Sequence, residues 1–124
     1  MNQEKRLNAL RGATRCMNEE QDIILQVSAL YDELLLKNNL QEMDIVSLLF
    51  SMTRDLDAKN PAAALRQSGR ASDTALFTVQ EAEVPGGLER VIRVLIHCYL
   101  EENAVPCHVY RNGAEVLRPD RAAR

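Results

Sequence analysis

The sequence predicts an α+β fold. One segment has the period of a long amphipathic helix, a second, much shorter one is capped like a helix, and strand-like aliphatic runs lie on either side of both. An Asn-Gly pair between two β-like runs near the C-terminus adds a turn signal.

In chain order, residues 1–6 read as a frayed terminus, and residues 7–14 as a strand despite Gly12. Asn18-Glu19-Glu20-Gln21 opens the long helix: Asn18 can cap, Gln21 can reach back, and the acids suit the positive end of the helix dipole. Ile23, Ile24, Val27, Leu30, Tyr31, Leu34 and Leu35 then fall on one helical face, and Asn38-Asn39 stops it. The run 44–53 suggests a buried strand, with a helix as the alternative. Asn60-Pro61 starts a short helix, with Asn as cap and Pro at the first position, and Gly69 ends it. Residues 74–80 read as a strand and Pro85-Gly86-Gly87 as a turn. The apolar run 91–100 is broken only by Arg93 and His97, and its period does not separate strand from helix. Residues 107–110 and 114–117 flank Asn112-Gly113 as a hairpin. The 124 residues form a single domain in this reading, with residues 121–124 as a flexible tail.

Composition narrows the function. The chain is 46% hydrophobic but only 4% aromatic, so its core is aliphatic. A net charge of −3 disfavours bulk nucleic-acid binding, which needs a basic field, but leaves room for a local arginine cluster. The charged start is unlike a secretory signal, and no apolar run is long enough to cross a bilayer, so a cytoplasmic protein with no membrane role is expected. Cys16, Cys98 and Cys107 are odd in number and lack a Cys-x-x-Cys spacing, which fits reduced thiols. Cys98 and Cys107 read as small packed hydrophobes.

The usual carriers of covalent, metal and hydride chemistry are missing from the sequence: it has no phosphate-binding glycine loop, zinc-type Cys/His spacing or Gly-x-Ser-x-Gly elbow. No cofactor is expected. His97 and His108 read as packed structural histidines in apolar strands. Arginine remains. Arg11, Arg66, Arg93 and Arg118 each sit in or beside an apolar segment. Arg93, amid Val91-Ile92 and Val94-Leu95, must either face solvent or be paired. Guanidinium groups suit carboxylates, since two N–H bonds meet two oxygens, so a small anion with more than one carboxylate is the natural ligand.

Four groups of residues carry a resemblance. They are Leu10-Arg11-Gly12-Ala13-Thr14; Thr53-Arg54-Asp55-Leu56 with Asn60-Pro61-Ala62 and Ala64-Leu65-Arg66; Gln80-Glu81 with Val84-Pro85-Gly86-Gly87-Leu88 and Val91-Ile92-Arg93-Val94; and His108-Val109-Tyr110 with Val116-Leu117-Arg118-Pro119-Asp120. In order and spacing over residues 10–120 the chain resembles the small trimeric chorismate mutases typified by the enzyme of bacilli. The resemblance implies a mixed β-sheet packed with one long helix and short helices, assembling as a barrel-like homotrimer with sites between neighbours. It implies rearrangement of chorismate to prephenate, in phenylalanine and tyrosine biosynthesis, without a cofactor.

The resemblance also implies roles. Arg11 would bind a substrate carboxylate, with Tyr110 nearby. Arg93 would meet the ether oxygen and a carboxylate, and Glu81 would accept from the ring hydroxyl. Thr78 would offer a hydroxyl where the family often has a thiol. Arg66 and Arg118 would supply positive potential at the mouth, and Ala62 and Leu117 part of the wall. Asn60 stands where the family commonly has Phe, and Ala63 where it often has Lys, removing one wall piece and one peripheral charge. A catalytically silent anion-binding trimer of the same fold is the alternative.

Overall fold

The computed structural model describes residues 4–118. In chain order it contains β1 (Lys5–Arg15), α1 (Glu20–Lys37), a 3-10 turn (Glu42–Asp44), β2 (Ile45–Met52), α2 (Pro61–Gln67), β3 (Ala75–Gln80), β4 (Val91–Glu101), β5 (Val109–Arg111) and a second 3-10 turn (Ala114–Leu117). Residues 1–3, Pro119, Asp120 and the expected tail 121–124 lie outside the described residues. Among the described residues no helix is long and apolar enough to cross a membrane.

The five strands form one mixed sheet in the order β3-β2-β4-β1-β5. The outer pairs β2–β3 and β1–β5 are parallel, and the inner pairs β2–β4 and β1–β4 are antiparallel. α2 lies on the crossover between the parallel strands β2 and β3, as such a connection requires. α1 covers one face of the sheet. Ile23, Val27, Leu30 and Leu34 from the helix are buried with Leu10, Leu48, Phe50, Ile92 and Ile96 from the strands. Each fully buried aliphatic side chain contributes about 1.5–3 kcal/mol. Gly12 lets the layers approach closely: a Cβ there would lie 2.7 Å from Leu34 Cδ1 and 3.1 Å from Leu30 Cδ1.

The sheet's other face carries Leu7, Leu49, Phe77, Val79 and Tyr99, each 37–65% exposed in the single chain. That face explains why the run 91–100 has no clear period. β4 alternates buried and less buried positions, but the less buried set includes Leu95 and Tyr99.

Three expectations need correction. The helix cap is Glu19, not Asn18, and it makes no side-chain cap bond. Asn18 instead accepts from the Asp57 and Ala58 N–H groups, both at 3.0 Å, so its carboxamide is committed to the loop after β2. Lys5 and Arg6 are not frayed, because β4 runs on to Glu101 and offers them ladder partners. The hairpin does not form. Asn112 and Gly113 do adopt positive φ (56° and 94°), but β5 pairs in parallel with β1. Ala114, fully buried against Ala13 and Val91, draws the following residues into a 3-10 turn.

The other elements form as the residues predict. Asn60 Oδ1 accepts from Ala62 N at 2.9 Å and caps α2 with Pro61 at its first position. α1 ends at Asn38.

Candidate active site

The site begins with strand alternation. Opposite residues on neighbouring strands share a face, and Val79, Ser51, Arg93, Ala13 and Tyr110 form one row across the whole sheet. The row lies on the face that α1 leaves uncovered. Arg11 is opposite Leu95 one step along. Arg11, Arg93 and Tyr110 line one cavity of about 290 Å³, with Leu117 at the end of the last 3-10 turn and Arg118 just after it closing its side. That volume is at the lower end of the small-molecule range.

Arg93 interrupts its apolar strand because it is paired. Its Nε lies 2.7 Å from Glu81 Oε1. Glu81 follows β3, and its N–H bonds to Met52 O at 2.9 Å, which fixes the carboxylate beside β2. Ser51 Oγ donates to the same Glu81 oxygen at 2.8 Å. The Nε contact leaves the terminal nitrogens of Arg93 for a ligand. Ser51 was not among the expected site residues. Its one sequence signal is that Ser47 and Ser51 stand two steps of alternation apart in an otherwise apolar strand.

A second, wider cleft of about 750 Å³ opens beside the loop after β3. Asp55, Glu81, Glu83 and Glu89 line it, and Arg54, its only basic lining residue among the described residues, is engaged by Glu83 at 3.0 Å. Charge therefore assigns an anion to the smaller cavity.

The remaining expected residues stand elsewhere. Thr78 lies on edge strand β3 opposite Phe50, on the helix side of the sheet. Its Oγ1 donates to Asn60 Oδ1 at 3.0 Å. Ala62 is buried in the first turn of α2, and Arg66 is exposed in the last. Asn60, Ala62, Arg66 and Thr78 thus cluster near one sheet edge, while Tyr110 stands on the opposite edge strand. One chain brings Arg11, Glu81, Arg93, Tyr110, Leu117 and Arg118 together and leaves the other four apart.

The histidines are structural in different ways. His97, in β4, shares a hydrogen bond with Ser47 at 3.1 Å. His108 is not in a strand as expected but just before β5, where its Nδ1 accepts from the Arg11 N–H at 2.9 Å. Cys98 is fully buried and Cys107 half-buried. No group of His, Cys, Asp and Glu among the described residues could hold a metal ion.

A mixed sheet backed by a helix layer, with guanidinium groups converging on a small cavity of its open face, defines an α+β protein built to receive a compact anion. Comparison with known proteins agrees. The family profile for chorismate mutase type I matches residues 7–121. The chain is 32% identical over 117 residues to the chorismate mutase AroH of Bacillus subtilis, covering 92% of this chain and 91% of that protein. It is 36% identical over 118 residues to the AroH of Thermus thermophilus, covering 90% and 95%. Its structure resembles a chorismate mutase from Clostridium thermocellum, with a TM-score of 0.80 and 42% identity over 88% of this chain and 98% of that one. The chain belongs to the type I chorismate mutase family, isomerases of aromatic amino acid biosynthesis.

Proposed function

We propose that this chain rearranges chorismate to prephenate in clefts shared between neighbouring subunits of a homotrimer. The observation that carries the reading is the convergence of Arg11, Arg93, Tyr110 and Arg118 on one cavity, with Glu81 paired to Arg93 beside it.

The reaction is unimolecular. The ether C–O bond breaks as a C–C bond forms, and no atom passes to the protein. The site therefore has two tasks. It holds the dianion in its compact, chair-like conformer, which removes conformational freedom before the barrier. It also places fixed positive charge where the breaking bond sends electron density. Arg11 takes a substrate carboxylate, with Tyr110 beside it. Arg93, oriented through Nε by Glu81, directs its terminal nitrogens to the ether oxygen and a carboxylate. Glu81 accepts from the ring hydroxyl, and Leu117 forms wall. Arg118 adds charge at the mouth.

The neighbouring subunit would supply the other half: Asn60, Ala62, Arg66 and Thr78, which a single chain keeps away from Arg93. Burying the apolar open face would favour the assembly, since Phe77, Leu49, Val79, Leu7 and Tyr99 are all partly exposed on it in the single chain. We take the chain as one domain acting in the cytoplasm.

Mixing two defective variants tests the shared site. Arg93→Ala removes one half-site, and Arg66→Glu spoils the other by reversing an exposed charge. Each alone should consume chorismate slowly, as followed by absorbance. Unfolded together and refolded, they should regain activity, because some interfaces then combine two intact halves. No recovery in mixed oligomers, or full activity in a monomer, would refute the arrangement.

A further inference from the structure

β5 has only three residues, the short end of the strand range. Its ladder to β1 covers Gly12–Val109, Ala13–Tyr110 and Thr14–Arg111. Continued one step back, the register sets Arg11 against His108. There the ladder has ended, and the His108 imidazole takes the Arg11 N–H in place of a backbone carbonyl, at 2.9 Å. To accept at Nδ1 the ring must be unprotonated there, which puts the proton of the neutral ring on Nε2.

The other side of His108 is fixed too. Asn38, at the end of α1, accepts from Cys107 N and donates to Cys107 O, both at 2.8 Å. The main chain entering His108 is thereby tied to the helix, and its ring to β1. We propose that His108 is a positioning residue, whose Nδ1 sets the Arg11 main chain, and so the Arg11 guanidinium, at a fixed distance from Tyr110. This rests on the reading that Arg11 meets a substrate carboxylate.

The test uses the full chain, chorismate as substrate, and thermal melting as a check on folding. His108→Ala should lower kcat/KM by about tenfold or more, since a small misplacement of a binding group is expensive. His108→Asn, whose Oδ1 lies where Nδ1 does, should return to within about threefold of the parent. His108→Gln, whose oxygen falls near the Nε2 position, should not. In an Arg11→Ala background, His108→Ala should add little, because coupled residues are not additive.

Several results would overturn the proposal: parent-like kinetics in His108→Ala while Arg11→Ala is impaired, a Gln variant that rescues as well as Asn, or full additivity with Arg11→Ala. Should His108→Ala not fold, the Asn–Gln comparison decides alone. Parent-like kinetics in Arg11→Ala would instead refute the role given to Arg11 itself.

Discussion

Replacing Arg93 with citrulline separates charge from shape. Citrulline keeps the Nε–H, so the 2.7 Å contact with Glu81 Oε1 can persist as a hydrogen bond from an uncharged donor to the carboxylate. It replaces the charged terminal fork with a urea. The Arg93 side chain is 48% exposed in the single chain, so the effective dielectric is far from that of a dry interior. At about 3 Å and a dielectric of about 20, a full cation acting on a developing charge of about half a unit contributes about 2.8 kcal/mol, or about 10² in rate. That agrees with the about 10²–10³ that one donor to a developing oxyanion typically contributes. Because the charge develops only as the ether bond breaks, the loss should fall on kcat more than on KM. The assay is chorismate consumption at saturating substrate, with melting and light scattering to confirm fold and assembly. The half-exposed ion pair should cost less than about 1 kcal/mol of stability when neutralised. A folded, assembled citrulline variant with kcat within a few-fold of the parent would show that the charge of Arg93 does not act on the barrier.

Four further outcomes are expected. Arg66→Ala and Arg118→Ala should raise KM with little change in kcat, an effect that shrinks in high salt, as steady-state kinetics at two ionic strengths will show. Gly12→Ala should lower the melting temperature by several degrees, because the new methyl meets Leu34 Cδ1 at 2.7 Å and overpacking of this kind costs about 1–3 kcal/mol. The hydrogen bond from Lys37, and after it that from Arg111, holds the Glu33 carboxyl below its usual range. Its stabilisation is therefore present above the unfolded-state pKa and lost as pH falls through the folded one, so Glu33→Gln should lower the melting temperature at neutral pH and by progressively less as the pH falls below the usual glutamate range. Burial pushes the Cys16 and Cys98 thiols up to about 11, so a thiolate-directed reagent near about pH 8 should label half-buried Cys107 first and the other two only on unfolding.

Elements that depend on local chemistry were legible in the sequence. Asn60-Pro61 announces the start of α2 because cap and first-turn proline act within four residues, and Asn38-Asn39 marks the end of α1 for a similar reason. Where two local uses compete, sequence does not choose: Asn18 could cap the helix or bind the loop at Asp57, and only packing selects the loop. The identity of β4 was hidden because its open face mixes Leu95 and Tyr99 with Arg93 and His97, so the alternation with its buried face does not stand out. At the C-terminus Asn112-Gly113 makes the turn its residues promise, yet the direction taken afterwards is set by the burial of Ala114 in a pocket from distant strands. The arginines were visible as candidates because a charge in an apolar strand demands a partner. Ser51 and His108 were not, since their roles arise from neighbours 30 and 97 residues away.

The turn at Asn112-Gly113 also bears on how the chain ages. An asparagine followed by glycine is prone to cyclise, because no side chain shields the attacking nitrogen; ammonia is lost, and water then opens the ring to aspartate or isoaspartate. Here the Asn112 carboxamide donates to Thr14 Oγ1 at 3.0 Å and to Gln26 Oε1 at 2.8 Å, and the Gly113 N–H is held by Glu115 at 2.8 Å. Both reacting groups are thus occupied while the turn is intact, which should slow deamidation in the folded chain relative to the unfolded one. Once it occurs, a carboxylate that can donate nothing faces the Gln26 oxygen. The strand carrying Tyr110 ends one residue earlier, so wear at this turn would be felt in the site before the core loosens.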